Sequence, residues 1–321
     1  MSSYNKSYLD RLARENDFQR DNLEKVIRLS EILQYFNSSK LLSENLVLKG
    51  GTAINLTVFQ MPRLSTDIDL DFASDCTKEE MLETRKKVNQ EILTYMAREG
   101  YALKPQSKMP HSLDSWVFGY VNAGGNNDNI KIEINYSDRC HVLPILERSV
   151  TIGFLGEVKV KVLSPVELFA SKINALLNRC AVRDIYDVYG MLRDRLFESP
   201  EQRELLRRVL VFYMAVGSKC KAEEVSLAFE NFDHIERLNY PMVRAQLIPV
   251  LRKKETFDFM KAKEEVSEFL KDFLIFSDNE QRFVEHFNRR EYRPEILFND
   301  DEFVANVRSH PMAHWKCRPN Q

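Results

Sequence analysis

The chain has 321 residues, 44% apolar and 29% charged, with a formal net charge of −2; it is long enough for two packed lobes and too near neutrality to coat long nucleic acid through many Lys and Arg contacts, so no DNA partner is expected. No run approaches 18 consecutive apolar residues, and the polar start MSSYNKSYLDRLAREND carries neither a signal nor a transit pattern, so a cytoplasmic address and no membrane partner are expected. Five scattered cysteines, Cys76, Cys140, Cys180, Cys220 and Cys317, include no Cys-x-x-Cys pair, which points to reduced thiols and away from disulfides or a zinc site.

Residues 6–36 read as helical, with Leu23, Val26, Ile27, Ser30 and Leu33 on a mostly apolar stripe. The stretch NLVLKGGTAINLTVFQMPRLSTDIDLDF, residues 45–72, organises the rest. Leu46 to Leu48 is a short apolar run ending at Lys49. Gly50 and Gly51 let the backbone turn sharply and approach a ligand closely. Thr52 opens a short helix through Phe59, whose first amides are oriented donors suited to a triphosphate. From Ser65 the period becomes two: Ile68, Leu70 and Phe72 take one face, Asp67, Asp69 and Asp71 the other. Carboxylates about 7 Å apart on one edge repel unless a cation sits between them, and Mg²⁺ held by a pair of carboxylates is the obvious remedy. A P-loop is excluded, because no Gly-Lys-Ser/Thr follows the glycines.

Thr77 and Glu80 form a capping box for a long helix lined by Met81, Val88, Ile92 and Tyr95 and ended by Gly100. Residues 115–121 and 129–136 read as a strand pair around the turn-like NAGGNND. In the second, Ile130, Ile132 and Ile134 alternate with Lys131, Glu133 and Asn135, so Glu133 joins the acidic set if this strand lies beside the aspartates. More β-like sequence follows within 141–163. Ser164, Pro165 and Glu167 then mark the clearest helix start, a capping box with proline at the first position. Lys172 lies beside that helix's apolar stripe, so its stem can follow the apolar surface and deliver the ammonium to a cleft. In RDIYDVYGMLR, Asp184 and Asp187 share a helical face; the plain reading is a cap at Asp184 and a surface ion pair at Asp187.

A glycine pair opening a helix, then an alternating aspartate strand, resembles the signature of the polymerase-β-like nucleotidyltransferases. Fifteen residues separate Gly51 from Asp67, slightly more than is usual for that signature. The fuller strings LKGGTAINL and RLSTDIDLDF, with the later KINALLNR and RDIYD blocks, are similar to the AbiEii/AbiGii toxin family of nucleotidyltransferases, which includes the MenT toxins; the likeness spans roughly Tyr8 to Leu192. It implies an α+β, bilobed fold: a mixed-sheet nucleotidyltransferase lobe over 1–163 with flanking helices, and a mainly helical lobe over 164–321 that contributes Lys172 and Asp184 or Asp187 to a cleft. It further implies an NTP substrate, one or two Mg²⁺ ions, a cognate antitoxin, and an acceptor hydroxyl at the 3′ end of a tRNA, with translation blocked. Gly50, Gly51, Thr52 and Ser65 would then bind phosphate, and Asp67 and Asp69 the metal. Glu133 or Asp71 would assist catalysis, Lys172 would neutralise the triphosphate, and one of Asp184 and Asp187 would belong to the active site. A small-molecule nucleotidyltransferase and a noncatalytic nucleotide-binding or partner-binding protein are the competing classes.

Beyond Arg195 the sequence reads as helical, with 201–216, 222–229, 241–251 and 261–276 as candidates. Basic clusters stand at Arg203, Arg207 and Arg208, at Arg252, Lys253 and Lys254, and at Arg289, Arg290 and Arg293. They are solvated helix faces unless several converge into a groove for an RNA end. His310 and His314 are four apart, but Pro311 is expected to interrupt any helix there, and no acidic residue completes a metal site.

Overall fold

The computed structural model describes residues 4–74, 76–179, 181–217, 224–229 and 232–318. Cys180 and Cys220 lie outside them; Cys76, Cys140 and Cys317 are free thiols. The chain divides into two compact units, one of residues up to 139 with 145–163 and 248–255, the other of 140–144, 164–247 and 256 onward. The fold is α+β, with one seven-stranded mixed sheet.

The first unit starts with helices α1 (Lys6–Glu15) and α2 (Arg20–Ser38). They replace the single expected helix because Asp17 takes a left-handed φ of 60° and breaks the run. After α3 (Lys40–Asn45) and β1 (Leu46–Lys49), α4 (Gly50–Ala53) continues into a π turn, Ile54–Val58. The helix thus opens at the glycines, two residues before Thr52. A π turn takes up more residues per turn than an α-helix, and this one lies inside the long spacing between the glycines and the aspartates.

Strand β2 (Asp67–Phe72) is followed by α5 (Lys78–Arg98), β3 (Ala102–Leu103), β4 (Leu113–Val121), β5 (Asn127–Asn135), β6 (Leu146–Ile152) and β7 (Gly156–Val162), in spatial order β3-β4-β5-β2-β1-β7-β6. β2 pairs antiparallel with β1 and parallel with β5. Alternation decides the two faces: Ile68, Leu70, Ile130, Ile132 and Ile134 are buried on the side where Leu33 and Phe36 of α2 gather with Leu48, Leu70 and Val160. Tyr35 of α2 stacks on Tyr95 of α5 with ring centroids 3.7 Å apart, so both helices serve the apolar face. The acidic residues are left on the other.

The second unit holds α6 (Pro165–Asn178), α7 (Val182–Arg193), α8 (Pro200–Gly217), α9 (Asp233–Glu236), α10 (Tyr240–Gln246), α11 (Phe259–Phe273), α12 (Asp278–Asn288), α13 (Pro294–Leu297), α14 (Asp301–Val307) and α15 (Pro311–Cys317). Ser164 caps α6 as expected, accepting from the Glu167 amide at 3.2 Å. Glu167 does not close the box; wholly buried, it accepts from the Val142 amide and the Tyr213 hydroxyl, each at 2.7 Å. Three further expectations fail. Residues 224–229 form no helix, with Ala222 outside the described residues, and the run after Tyr240 stops at Gln246 before a 3₁₀ turn, Ile248–Val250. Pro311 starts a helix rather than interrupting one, because a proline at the first helical position needs no amide partner.

Candidate active site

β1 ends at Lys49 and delivers the chain into the glycine turn. Gly50 has φ of +72°, the left-handed region that favours glycine, and a Cβ built there would stand 3.0 Å from the Asp69 Cβ and collide with its carboxylate. The two halves of the motif are therefore in contact, backbone against side chain. Asn55 donates to the Gly51 carbonyl at 2.9 Å, holding the turn's second residue from the π turn.

On the exposed face of the sheet the registers put Lys49 opposite Asp69, Asp69 beside Glu133, and Asp67 beside Lys131. Asp67, Asp69 and Glu133 are partly open, and Asp71 is buried. Lys49 forms an ion pair with Asp71 and lies 3.8 Å from Asp138. Burial works against the Lys49 ammonium, but Asp71 and Asp138 outweigh it and hold its pKa above the usual lysine value. Asp71 is thus the internal partner of Lys49, a poor position from which to take an acceptor's proton. Lys131 pairs with Glu133 at 2.8 Å. Burial disfavours its charge, and Glu133, Asp67 and Asp69 more than restore it, raising the pKa. Lys131, like Lys49, is a cation that the acidic face carries for itself.

Thr52 Oγ1 lies 3.0 Å from Ser65 Oγ and donates to the Asp67 carbonyl. A carbonyl only accepts, so the single Thr52 proton is committed to it and the contact with Ser65 uses the Ser65 proton. Both hydroxyls are buried, and together they fix the start of β2 against the glycine helix.

In the second unit Lys172 is buried between two carboxylates of α7, its Nζ 3.0 Å from Asp184 and 3.0 Å from Asp187. Neither aspartate is at the surface. Asp184 also accepts from Arg179 Nε at 3.1 Å and from the Ala181 amide at 3.3 Å, capping α7. Burial alone would raise the Asp184 pKa; Lys172 and Arg179 override it, and the net shift is downward. The structure gives both aspartates the same partner, Lys172.

The basic clusters are largely engaged locally. Arg207 pairs with buried Glu280 at 2.9 Å, Arg208 with Glu204, and Arg203 with Asp272 at 3.4 Å. Arg252 packs over the Phe18 ring at 4.6 Å and donates to the Asn16 carbonyl, Lys254 pairs with Asp17, and Arg293 pairs with Glu295. Lys49, Lys131 and Asp138 had no assigned role in the sequence. The signals were a lysine directly before Gly-Gly and another two residues before Glu133.

A glycine turn seated against an alternating aspartate strand, in a mixed sheet of this order, has the architecture of a nucleotidyltransferase. A family profile described as "Nucleotidyl transferase AbiEii toxin, Type IV TA system" matches residues 31–288, and the chain belongs to that family. Among solved structures it is similar to MenT4, the nucleotidyltransferase toxin Rv2826c from Mycobacterium tuberculosis H37Rv, at 18% identity and a TM-score of 0.61, covering 94% of this chain and 99% of that one. No curated protein matches. The chain is accordingly a nucleotidyltransferase toxin of a toxin–antitoxin system, with an NTP as substrate and an antitoxin as its counterpart. No helix among the described residues is long and apolar enough to cross a membrane.

Such enzymes usually employ a divalent cation. Among the described residues no three His, Cys, Asp or Glu side chains form a ready cage. The donor set instead fits a hard ion held by two carboxylates, Asp67 and Asp69 at i and i+2, with water and phosphate oxygens completing the shell.

Proposed function

We propose that the protein transfers a nucleoside monophosphate from an NTP to the 3′ hydroxyl of a tRNA, blocking translation. The acceptor oxygen attacks the α-phosphorus, the bond from that phosphorus to the α–β bridging oxygen breaks, pyrophosphate leaves, and the hydroxyl proton passes to a base. Gly50, Gly51 and Thr52 receive the phosphates through backbone amides, with Ser65 behind them. Asp67 and Asp69 hold Mg²⁺, which when bound offsets charge on the phosphoryl oxygens. Glu133 is the available base or additional ligand. Lys172, positioned by Asp184 and Asp187, is the cation assigned to neutralise phosphate charge.

What chiefly supports this reading is the contact of Gly50 with Asp69, which leaves room for backbone and carboxylate and for nothing larger between them. The test is to incubate the pure protein and Mg²⁺ with each α-labelled NTP and total tRNA. Label on RNA supports the reading; label on the protein alone, or nowhere, overturns the acceptor.

A further inference from the structure

The second unit carries a recess of about 680 Å³ lined by Arg290, Arg308, Arg318, His314, Tyr292 and Glu295, among others. We propose that it is a docking site for the phosphodiester backbone of the acceptor RNA, separate from the site that takes the NTP; this rests on the RNA-acceptor reading above. The recess begins after residue 288, where the family match ends, so it belongs to a part of the chain that the shared signature does not describe.

Charge carries the argument. The protein as a whole is slightly acidic at −2, yet three guanidiniums gather here. Glu295, the one carboxylate of the lining, faces Arg293 at 3.4 Å. Arg308 and Arg318 are exposed, and among the described residues no carboxylate pairs with either. This is unlike Arg203, Arg207 and Arg208, each of which has an acidic partner. Guanidinium forks suit phosphate oxygens, which they can meet with two parallel hydrogen bonds.

The walls are held in place. Arg290 donates to the Lys316 carbonyl at 2.6 Å, Tyr292 donates to the Val307 carbonyl at 2.7 Å, and His314 Nε2 lies 2.7 Å from the Arg308 carbonyl. The Tyr292 and His314 rings meet edge to face at 5.6 Å, and His314 is exposed, giving an unstacked base a surface to lie on. A volume within the usual range for ligand sites admits one or two nucleotides of a strand rather than a whole duplex.

The test is an Arg308→Ala/Arg318→Ala double variant, which removes two exposed side chains and leaves Arg290 and Tyr292 in place. tRNA binding is measured by fluorescence anisotropy across a salt series, without NTP and with EDTA, alongside NTP binding and melting temperature. The expected result is at least tenfold weaker tRNA binding and a log–log salt slope shallower by about 1.4 to 1.8, as two lost phosphate contacts require, with NTP affinity and melting unchanged. Unchanged tRNA affinity and slope would overturn the site. So would a wild-type protein that binds no tRNA, or a variant that loses affinity for an acidic peptide such as polyglutamate while keeping tRNA. Wild-type protein that binds tRNA through these arginines but labels none of it would overturn the transfer reading and leave the recess standing.

Discussion

Gly50 and Asp69 are in contact across the turn between β1 and β2: a Cβ on the glycine would lie 3.0 Å from the Cβ of the aspartate, with its carboxylate closer still. Because Gly50 also sits at φ +72°, Gly50→Ala imposes backbone strain of about 1 kcal/mol and pushes the carboxylate aside. The variant is expected to melt a few degrees lower and to lose nucleotide transfer by a hundredfold or more, because an ångström's displacement of the carboxylate proposed to hold the cation is enough. Activity within threefold of wild type would show that the glycine does not set the aspartate's position.

Lys131 is the resident counter-ion of Asp67, Asp69 and Glu133. With its side chain 40% exposed, its contribution to stability is small, below about 1 kcal/mol. Lys131→Met should lower the melting temperature slightly in EDTA, and added Mg²⁺ should recover more stability in the variant than in wild type. Equal Mg²⁺ shifts in both proteins would mean that the lysine and the cation do not share these carboxylates.

Lys172 answers two buried carboxylates at once. Removing it leaves uncompensated charge, so Lys172→Met is expected to destabilise the fold by about 3 to 5 kcal/mol. Adding Asp187→Asn to that variant should restore part of the loss, a coupling readable by urea denaturation of the four proteins of the cycle. Additive losses would indicate that Lys172 and Asp187 do not interact.

Glu167 gives the fold a pH dependence of identifiable sign. Burial pushes its carboxyl pKa up, and His141 with the hydrogen bonds from Tyr213, Val142 and Leu143 only partly opposes this. The native state therefore holds the proton more tightly than the unfolded chain. Stability contributed by Glu167 is full below the unfolded carboxylate range, near pH 4, and falls as pH rises toward the raised native value. Glu167→Gln can still accept from the Val142 amide and the Tyr213 hydroxyl but has no proton to lose. The stability of wild type relative to this variant should decline as pH rises from 4 to 7; parallel profiles would contradict the assignment.

Local signals carried much of the architecture. The Thr77–Glu80 capping box starts α5 where it should, with both of its hydrogen bonds formed. The two-residue periods of β2 and β5 mark their buried isoleucines correctly, and adjacency of the strands then brings Glu133 beside Asp69. What remained hidden depended on tertiary contacts or on backbone angles. Glu167 looked like a capping residue, but Val142 and Tyr213, distant in sequence, claimed its carboxylate. Asp187 looked solvated because its partner Lys172 lies on another helix. The break at Asp17 interrupts no hydrophobic period, only φ. One miss was avoidable: Ser277 and Glu280 form a complete capping box for α12, and that spacing stands plainly in the chain.

The account depends above all on Asp69, and its most direct test is nucleotide transfer by Asp69→Ala. With Mg²⁺, the preferred NTP and tRNA, the variant should retain the wild-type melting temperature to within a few degrees and transfer at least a thousandfold more slowly, several kcal/mol of barrier. Undiminished transfer by a folded Asp69→Ala protein would contradict it.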